Sequence, residues 1–501
     1  MTTLLIKGVQ IVDGTGRPPF KGDIFIKDKK ISAIGPFGGK SADAVIDGLG
    51  AFAAPGFIDV NTDSDHTLTL FSNPSQREFL LQGVTTIVGG HCGASLAPLL
   101  YGTLESIRKW ADPSEINVDW HTMGEFLGVL SKKRLGVNFA TLIGHATIRR
   151  ALLGEAFRDL TENERKVFAH IVERALEEGA LGLSTGLGYA HSNRVPLAEI
   201  LDLLSVVAKY GGIYTTHLRD EDKGLVSSVR ETIAAAEKAQ VKTVMSHLRP
   251  LRGFEKEYDE AMQVIEGAPV GVRFDSYPFA TSSLALYTFL PKWAQDGGLE
   301  VMLSHVRTPA IRERIREEMP AVNDQTFIIA NAPRHEYLHG RPLGEFAEHR
   351  GLTDAKEALL ELMELTGLRA TIMYQNIDAA RIQKSMLNDR SFVGSNSGGS
   401  APAKGIKEFR SLVLDRAVRT FPRFLEITAE AAWPIEEAVK KITWSPAQFC
   451  GIRERGAIRE GMCADITVFQ ASEIKHVVVN GTVAVKDGQT TDALGGEVIR
   501  R

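Results

Sequence analysis

The feature that most constrains this chain is a unit that occurs twice in succession: a helix-like segment, a short loop, and a buried apolar run that leads to a histidine. Gly212-Ile213-Tyr214-Thr215-Thr216 leads into His217, and Val241-Lys242-Thr243-Val244-Met245 leads through Ser246 to His247. Segments 197–210 and 225–239, which precede these runs, carry apolar residues at helical spacing. Gly211-Gly212 stops the first of them. In an α/β barrel the C-terminal ends of such strands converge on one face, where metal ligands and catalytic groups collect. Two histidines in equivalent positions of adjacent units are therefore placed to share one metal ion.

A chain of 501 residues exceeds what one simple core usually holds, so one large and one small domain are expected. The net charge is −4 and the pI about 6.4, which gives no electrostatic reason for nucleic acid or an anionic membrane as partner. Three scattered cysteines, Cys92, Cys450 and Cys463, do not make a disulfide framework and fit a reducing compartment. The first residues lack the basic and apolar blocks of a signal peptide, and no apolar run reaches bilayer length. The expected location is the cytoplasm.

Residues 1–53 alternate short β-type runs with turns at Gly8, Asp13-Gly14, Asp28 and Gly35-Pro36, and the last fifty residues read the same way. The two ends are expected to build one small β domain. Between them strand and helix alternate. Strand candidates are 56–59, 85–88, 138–143, 181–184, the two histidine-terminated runs, 272–275, 370–374 and 392–393. That is nine candidates for the eight strands of a closed barrel. Residues 285–350 break the rhythm with Pro291, Gly297-Gly298, Pro309, Pro320 and Pro333 and read as an insertion of the kind that covers a site.

Further motifs follow one another along the chain. They include Ala54-Pro55-Gly56-Phe57-Ile58-Asp59, Gly83-Val84-Thr85-Thr86-Ile87-Val88-Gly89-Gly90-His91-Cys92-Gly93 and Gly179-Ala180-Leu181-Gly182-Leu183-Ser184-Thr185-Gly186-Leu187. Asp275-Ser276-Tyr277-Pro278-Phe279, Trp293-Ala294-Gln295-Asp296-Gly297-Gly298, Thr420-Phe421-Pro422-Arg423 and Arg455-Gly456-Ala457-Ile458 with Gly461 and Ala464-Asp465 complete the set. By these residues the chain resembles, nearly end to end, the amidohydrolase superfamily and within it the D-aminoacylases (N-acyl-D-amino-acid deacylases). The resemblance implies an α/β fold, a (β/α)8 TIM-like barrel over 54–451 with the insertion around 285–350. A small β domain from 1–53 and 452–501 accompanies it. It also implies metal-dependent hydrolysis of an amide-type C–N bond in an N-acyl amino acid or related small molecule.

In that family a tightly bound zinc sits on a cysteine at the end of the second strand and on the histidines of the fifth and sixth, which here are Cys92, His217 and His247. One thiolate and two imidazoles suit Zn²⁺ and leave a fourth position for water. The residues that hold the substrate's carboxylate map to Arg249 and Tyr277, with Ser283 nearby. Two departures stand out. The family's His-x-His after the first strand, part of a second metal position, is Asn61-Thr62-Asp63 here. The family's Gly-Ser-Asp at the last strand is Gly394-Ser395-Asn396, and an amide accepts no proton near neutral pH. Asp63 is then either a substitute ligand or base, or a solvated loop carboxylate beside Asp65. His145 reads as structural or as a support for a ligand. Arg219 and Glu221 either orient His217 or belong to a solvated charge cluster. His66, His91, His121 and His191 receive no role. Besides a weak or altered hydrolase, Asn61 and Asn396 leave open a catalytically impaired relative that serves binding or assembly. Deamination or cyclic-amide hydrolysis on the same scaffold differs only in substrate.

Overall fold

The structure is a computed structural model that describes residues 2–501 apart from 38–40, 102, 103, 108–110, 112, 155, 157 and 400–411. Eight parallel strands close a barrel: β1 (Phe57–Asp59), β2 (Val84–Gly89), β3 (Asn138–Thr141, continued by Ile143–Gly144), β4 (Gly182–Gly186), β5 (Ile213–His217), β6 (Lys242–Met245), β7 (Val272–Ser276) and β8 (Ser391–Val393). The first half of β3 pairs with β2 and the second half with β4, so the break at Leu142 hands the ladder from one neighbour to the next. Every residue of β1, β2, β4 and β5 is buried, as expected for parallel strands covered on both faces. Closure is made by the chain just past β8 meeting the chain just past β1. Asn396 donates its N–H to Asn61 O at 2.8 Å, Asp63 donates to Ser397 O at 2.9 Å, and Thr62 bridges Ser397.

The run 370–374, counted among the barrel strands from its pattern, lies elsewhere. Thr371–Tyr374 pairs antiparallel with Ser282–Ala285 and with Ile328–Asn331 in a separate three-stranded sheet. A short apolar run encodes burial but not the identity of its partner, and that partner is a segment about ninety residues earlier. The inserted unit thus extends on both sides of 285–350. It has its own apolar core of Leu286, Phe289, Val306, Ile329, Leu359 and Ile372, to which Ala190 from the barrel side is joined.

A nine-stranded sheet combines five strands before residue 56 with four after residue 465. The two halves meet where Phe52–Pro55 runs antiparallel to Ile466–Gln470. Buried polar contacts fasten this sheet to β3. Asn138 Nδ2 donates to Asp465 Oδ2 at 2.9 Å, Asn480 Nδ2 donates to Asn138 Oδ1 at 2.8 Å, and Arg455 pairs with Asp465. Beyond the sheet, Ile499 donates to Phe139 O at 2.8 Å, so the final residues pack on the barrel.

Candidate metal centre

His217 is the last residue of β5, Cys92 lies three residues past β2, and His247 two past β6. Cys92, His247 and Asn396 all adopt left-handed backbone conformations, with φ of 53°, 40° and 45°. Such a conformation is costly for residues with a Cβ and persists where the surroundings hold it. Here Asp275 Oδ1 accepts the His247 N–H at 2.9 Å, and Asn61 O accepts that of Asn396. His217 Nδ1 stands 3.0 Å from His247 Nε2, and Cys92 Sγ stands 3.4 Å from the same nitrogen. All three residues are buried, and their donor atoms lie within 4.8 Å of one another. Among the described residues this is the one group of three or more such donors that close together. One sulfur and two imidazole nitrogens aimed at one point make a donor set for a borderline-soft divalent ion with an open position.

The other nitrogens of both rings face one carboxylate. Glu221 lies 3.3 Å from His247 Nδ1 and 3.6 Å from His217 Nε2, and it forms an ion pair with Arg249. Burial opposes its ionisation, yet the charges of Arg249, His217 and His247 hold it well below the usual carboxylate range. An ionised carboxylate on the outer nitrogens keeps the inner ones as lone-pair donors. Of the two readings of the charged stretch after His217, Glu221 takes the orienting one. Arg219 instead pairs with Glu231 at 2.8 Å. His145, fully buried, bonds Glu199 at 2.8 Å away from the cluster, which is a structural role.

Arg249 is buried, not on the surface. Its Nη1 donates to Ser282 Oγ at 3.1 Å, while its Nε has no partner. Ser283 is the next residue of an extended strand and points to the opposite face, so the hydroxyl that meets Arg249 is that of Ser282. The buried Tyr277 hydroxyl makes no hydrogen bond of ordinary geometry and faces Arg249. Arg416 lies over the Tyr277 ring at 4.0 Å, donating from Nε to Ser395 O at 3.0 Å and from Nη2 to Asn396 O. Tyr189 packs on the His217 ring at 4.6 Å. Burial and the charges of Cys92, Tyr287, Asp63 and Glu221 raise its phenol well above the ordinary value, so it stays a proton donor.

The residues at the family's second metal position are engaged. Asn61 Nδ2 donates to Asp275 Oδ1 and Oδ2 at 3.0 and 3.2 Å. Asp63 Oδ1 contacts His66 Nδ1 at 3.1 Å and is not a free loop carboxylate. Burial disfavours the charged form of His66, but the charge of Asp65 and the bond to Asp63 push it up to about 9. Burial lifts Asp59 to about 7 and Asp275 to about 6. His91 is fully enclosed, and burial brings it down to about 3, a neutral ring beside Asp63 and His247. Tyr189, Arg416, Ser282 and His66 stand in no motif that marks them as site residues. The only local signal among them is the three-residue spacing of His66 from Asp63.

The barrel, the sheet built from both chain ends and the thiol–imidazole cluster at the barrel mouth define the amidohydrolase class. Residues 333–484 match the Amidohydrolase family model. A D-aminoacylase of Alcaligenes xylosoxydans xylosoxydans is 27% identical, covering 99% of this chain and 97% of its own, and the N-acyl-D-glutamate deacylase of that organism is 28% identical over 99% and 96%. A D-aminoacylase crystal structure superposes with a TM-score of 0.79 at 27% identity, covering all of both chains. The N-acyl-D-glutamate deacylase of Bordetella bronchiseptica, solved with zinc and a phosphonate mimic of the tetrahedral intermediate, gives 0.77 at 26%, also over both whole chains. Over its whole length the chain is similar to D-aminoacylases of the amidohydrolase superfamily.

Proposed function

We propose that this protein is a zinc hydrolase that cleaves the amide bond of an N-acyl amino acid carrying a free carboxylate. The convergence of Cys92, His217 and His247 carries this reading. These three would hold the ion. When bound there it would polarise the substrate carbonyl and lower the pKa of a water molecule towards 7. The protein's own groups do the rest. Glu221 keeps both imidazoles oriented. The free Arg249 Nε, the Tyr277 hydroxyl and the Arg416 guanidinium form a basic wall that suits the substrate carboxylate. The Tyr189 ring lies against His217, and its phenol, kept protonated by burial and the negative charges around it, would donate to the carbonyl oxygen as charge develops there. Among the described residues no helix is long and apolar enough to cross a membrane, and the relatives named above act on small molecules.

The test is turnover of a panel of N-acyl D- and L-amino acids, with zinc measured on the same sample. Release of free amino acid by protein holding about one zinc per chain is the expected result. Full zinc with no turnover of any substrate favours the binding or assembly role that Asn396 and Asn61 leave open.

A further inference from the structure

We infer that Asp63, held in place by His66, is the group that takes the proton from water and returns it to the leaving amine, in place of the amide at Asn396. This rests on the proposed hydrolysis and specifies how the same site moves its proton. The Asn396 side chain is an amide, and its backbone N–H and carbonyl are already used by Asn61 and Arg416. Asp63 follows β1 on the segment that lies directly beside Asn396 at the mouth. Its N–H donates to Ser397 O, and its carbonyl accepts from Thr67 N–H at 2.9 Å and Thr67 Oγ1 at 2.8 Å, so its backbone is fixed. Its side chain keeps 21% of its exposure, whereas that of His66 has none. Oδ1 is taken by His66, and Oδ2 has no partner among the described residues.

The His66 contacts are informative in themselves. Nδ1 faces the Asp63 carboxylate and Nε2 faces the Ala94 carbonyl at 3.0 Å. Both partners are acceptors, so with Asp63 ionised the ring donates from both nitrogens. A doubly donating ring between a carbonyl and a carboxylate locks one rotamer of Asp63 and leaves Oδ2 directed away from His66. Ala94 lies two residues past Cys92, so this lock is built on the same turn that presents the thiol. On its other side Asp63 is tied to Ser397, the residue after Asn396, so its segment runs between the turn that carries Cys92 and the end of β8 at the barrel mouth.

In the reaction Oδ2 accepts a proton from water as the water oxygen bonds to the amide carbon and the carbonyl electron pair moves onto its oxygen. That pair then re-forms the carbonyl, the C–N bond breaks, and the amine nitrogen takes the proton from Asp63. The products are a carboxylic acid and an amine, which exchange one proton to give carboxylate and ammonium. His66 exchanges no proton with the substrate and is a positioning residue.

The test uses the zinc-loaded full chain. Asp63→Asn, which keeps the shape, is expected to lower kcat by at least about 100-fold with KM and zinc content unchanged. His66→Leu should fall nearly as far, and His66→Gln, which retains one N–H donor towards Asp63, should recover about tenfold of that loss. Asp63→Asn with more than about a third of wild-type kcat, a change far below what a positioned base contributes, overturns the inference and leaves the hydrolase reading intact. Loss of zinc together with activity overturns it too, because Asp63 would then be a ligand. If the wild type turns over nothing, the hydrolase reading fails. The pair is then judged by nitrogen NMR of the His66 ring, where two N–H groups are expected and a single one refutes the arrangement.

Discussion

Asn61 donates one amide group to both oxygens of the Asp275 carboxylate, at 3.0 and 3.2 Å, joining the end of β1 to β7 across the barrel mouth. Asp275 also accepts the backbone N–H of His247, so this bond steadies the turn that presents an imidazole of the proposed metal centre. Asn61→Ala removes the donor and leaves a buried carboxylate short of a partner, at a cost of about 1–3 kcal/mol in stability. Urea denaturation of the zinc-free protein checks this. An unchanged midpoint would mean that the bond contributes nothing.

Removal of either imidazole should empty the centre. His217→Ala and His247→Ala are each expected to bring zinc from about one per chain to nearly none. Glu221→Gln keeps all three ligands but weakens their orientation, and a loss of about 10- to 100-fold in zinc affinity is expected. Competition with a metallochromic chelator measures both effects.

Arg249 has two duties that can be separated. It is expected to hold the substrate carboxylate, so Arg249→Ala should weaken free-acid substrates by about 2–3 kcal/mol and their esters far less. It also neutralises the partly buried Glu221, so the same variant should lose about 2–3 kcal/mol of stability. Arg249→Ala combined with Glu221→Ala should regain part of that stability without regaining preference for free acids. Equal weakening of acids and esters would leave Arg249 with the structural duty alone.

The position of Asn396 offers a gain-of-function test. In the Asp63→Asn background, Asn396→Asp supplies a carboxylate from the neighbouring strand end, and kcat should rise at least about tenfold. Asn396 precedes Ser397, and spontaneous deamidation would mimic the change, so intact mass must accompany the rates. No rise would show that the end of β8 does not reach the reacting water.

Lys441 makes stability depend on pH. It is enclosed, its Nζ donates to Asn388 O at 2.5 Å, and burial aided by the Arg273 charge brings its ammonium down to about 7 from 10.5. The unfolded chain keeps this proton to about pH 10.5 and the folded chain only to about pH 7. Through this group stability therefore rises with pH across that interval and is flat below it. Lys441→Met should remove the slope and raise stability at pH 7 by about 1 kcal/mol or more. Denaturation midpoints at pH 7 and pH 9 decide, and the same slope in both proteins would exclude Lys441 as its source.

The strand ends at His217 and His247 were legible in the chain itself, because helix period, stop glycines and a short apolar run are all local patterns. The motif order likewise carried the barrel architecture and its family. What remained hidden was pairing. The pattern of Thr371–Tyr374 records that it is buried, and only the fold supplies Ser282–Ala285 and Ile328–Asn331 as its partners. Glu221 reads equally well as a solvated charge or as an orienting carboxylate until Arg249 and His247 are brought to it from the next strand. Asp63 likewise looks like a loop acid until His66 and the Ala94 carbonyl close around it. The terminal sheet shows the same division, since the alternation of each strand is local whereas Phe52–Pro55 meets Ile466–Gln470 from the other end of the chain. Local sequence sets backbone preference and burial within a few residues. The partner of a buried charge or of a strand edge is chosen by chain closure over tens to hundreds of residues, which only the tertiary structure decides.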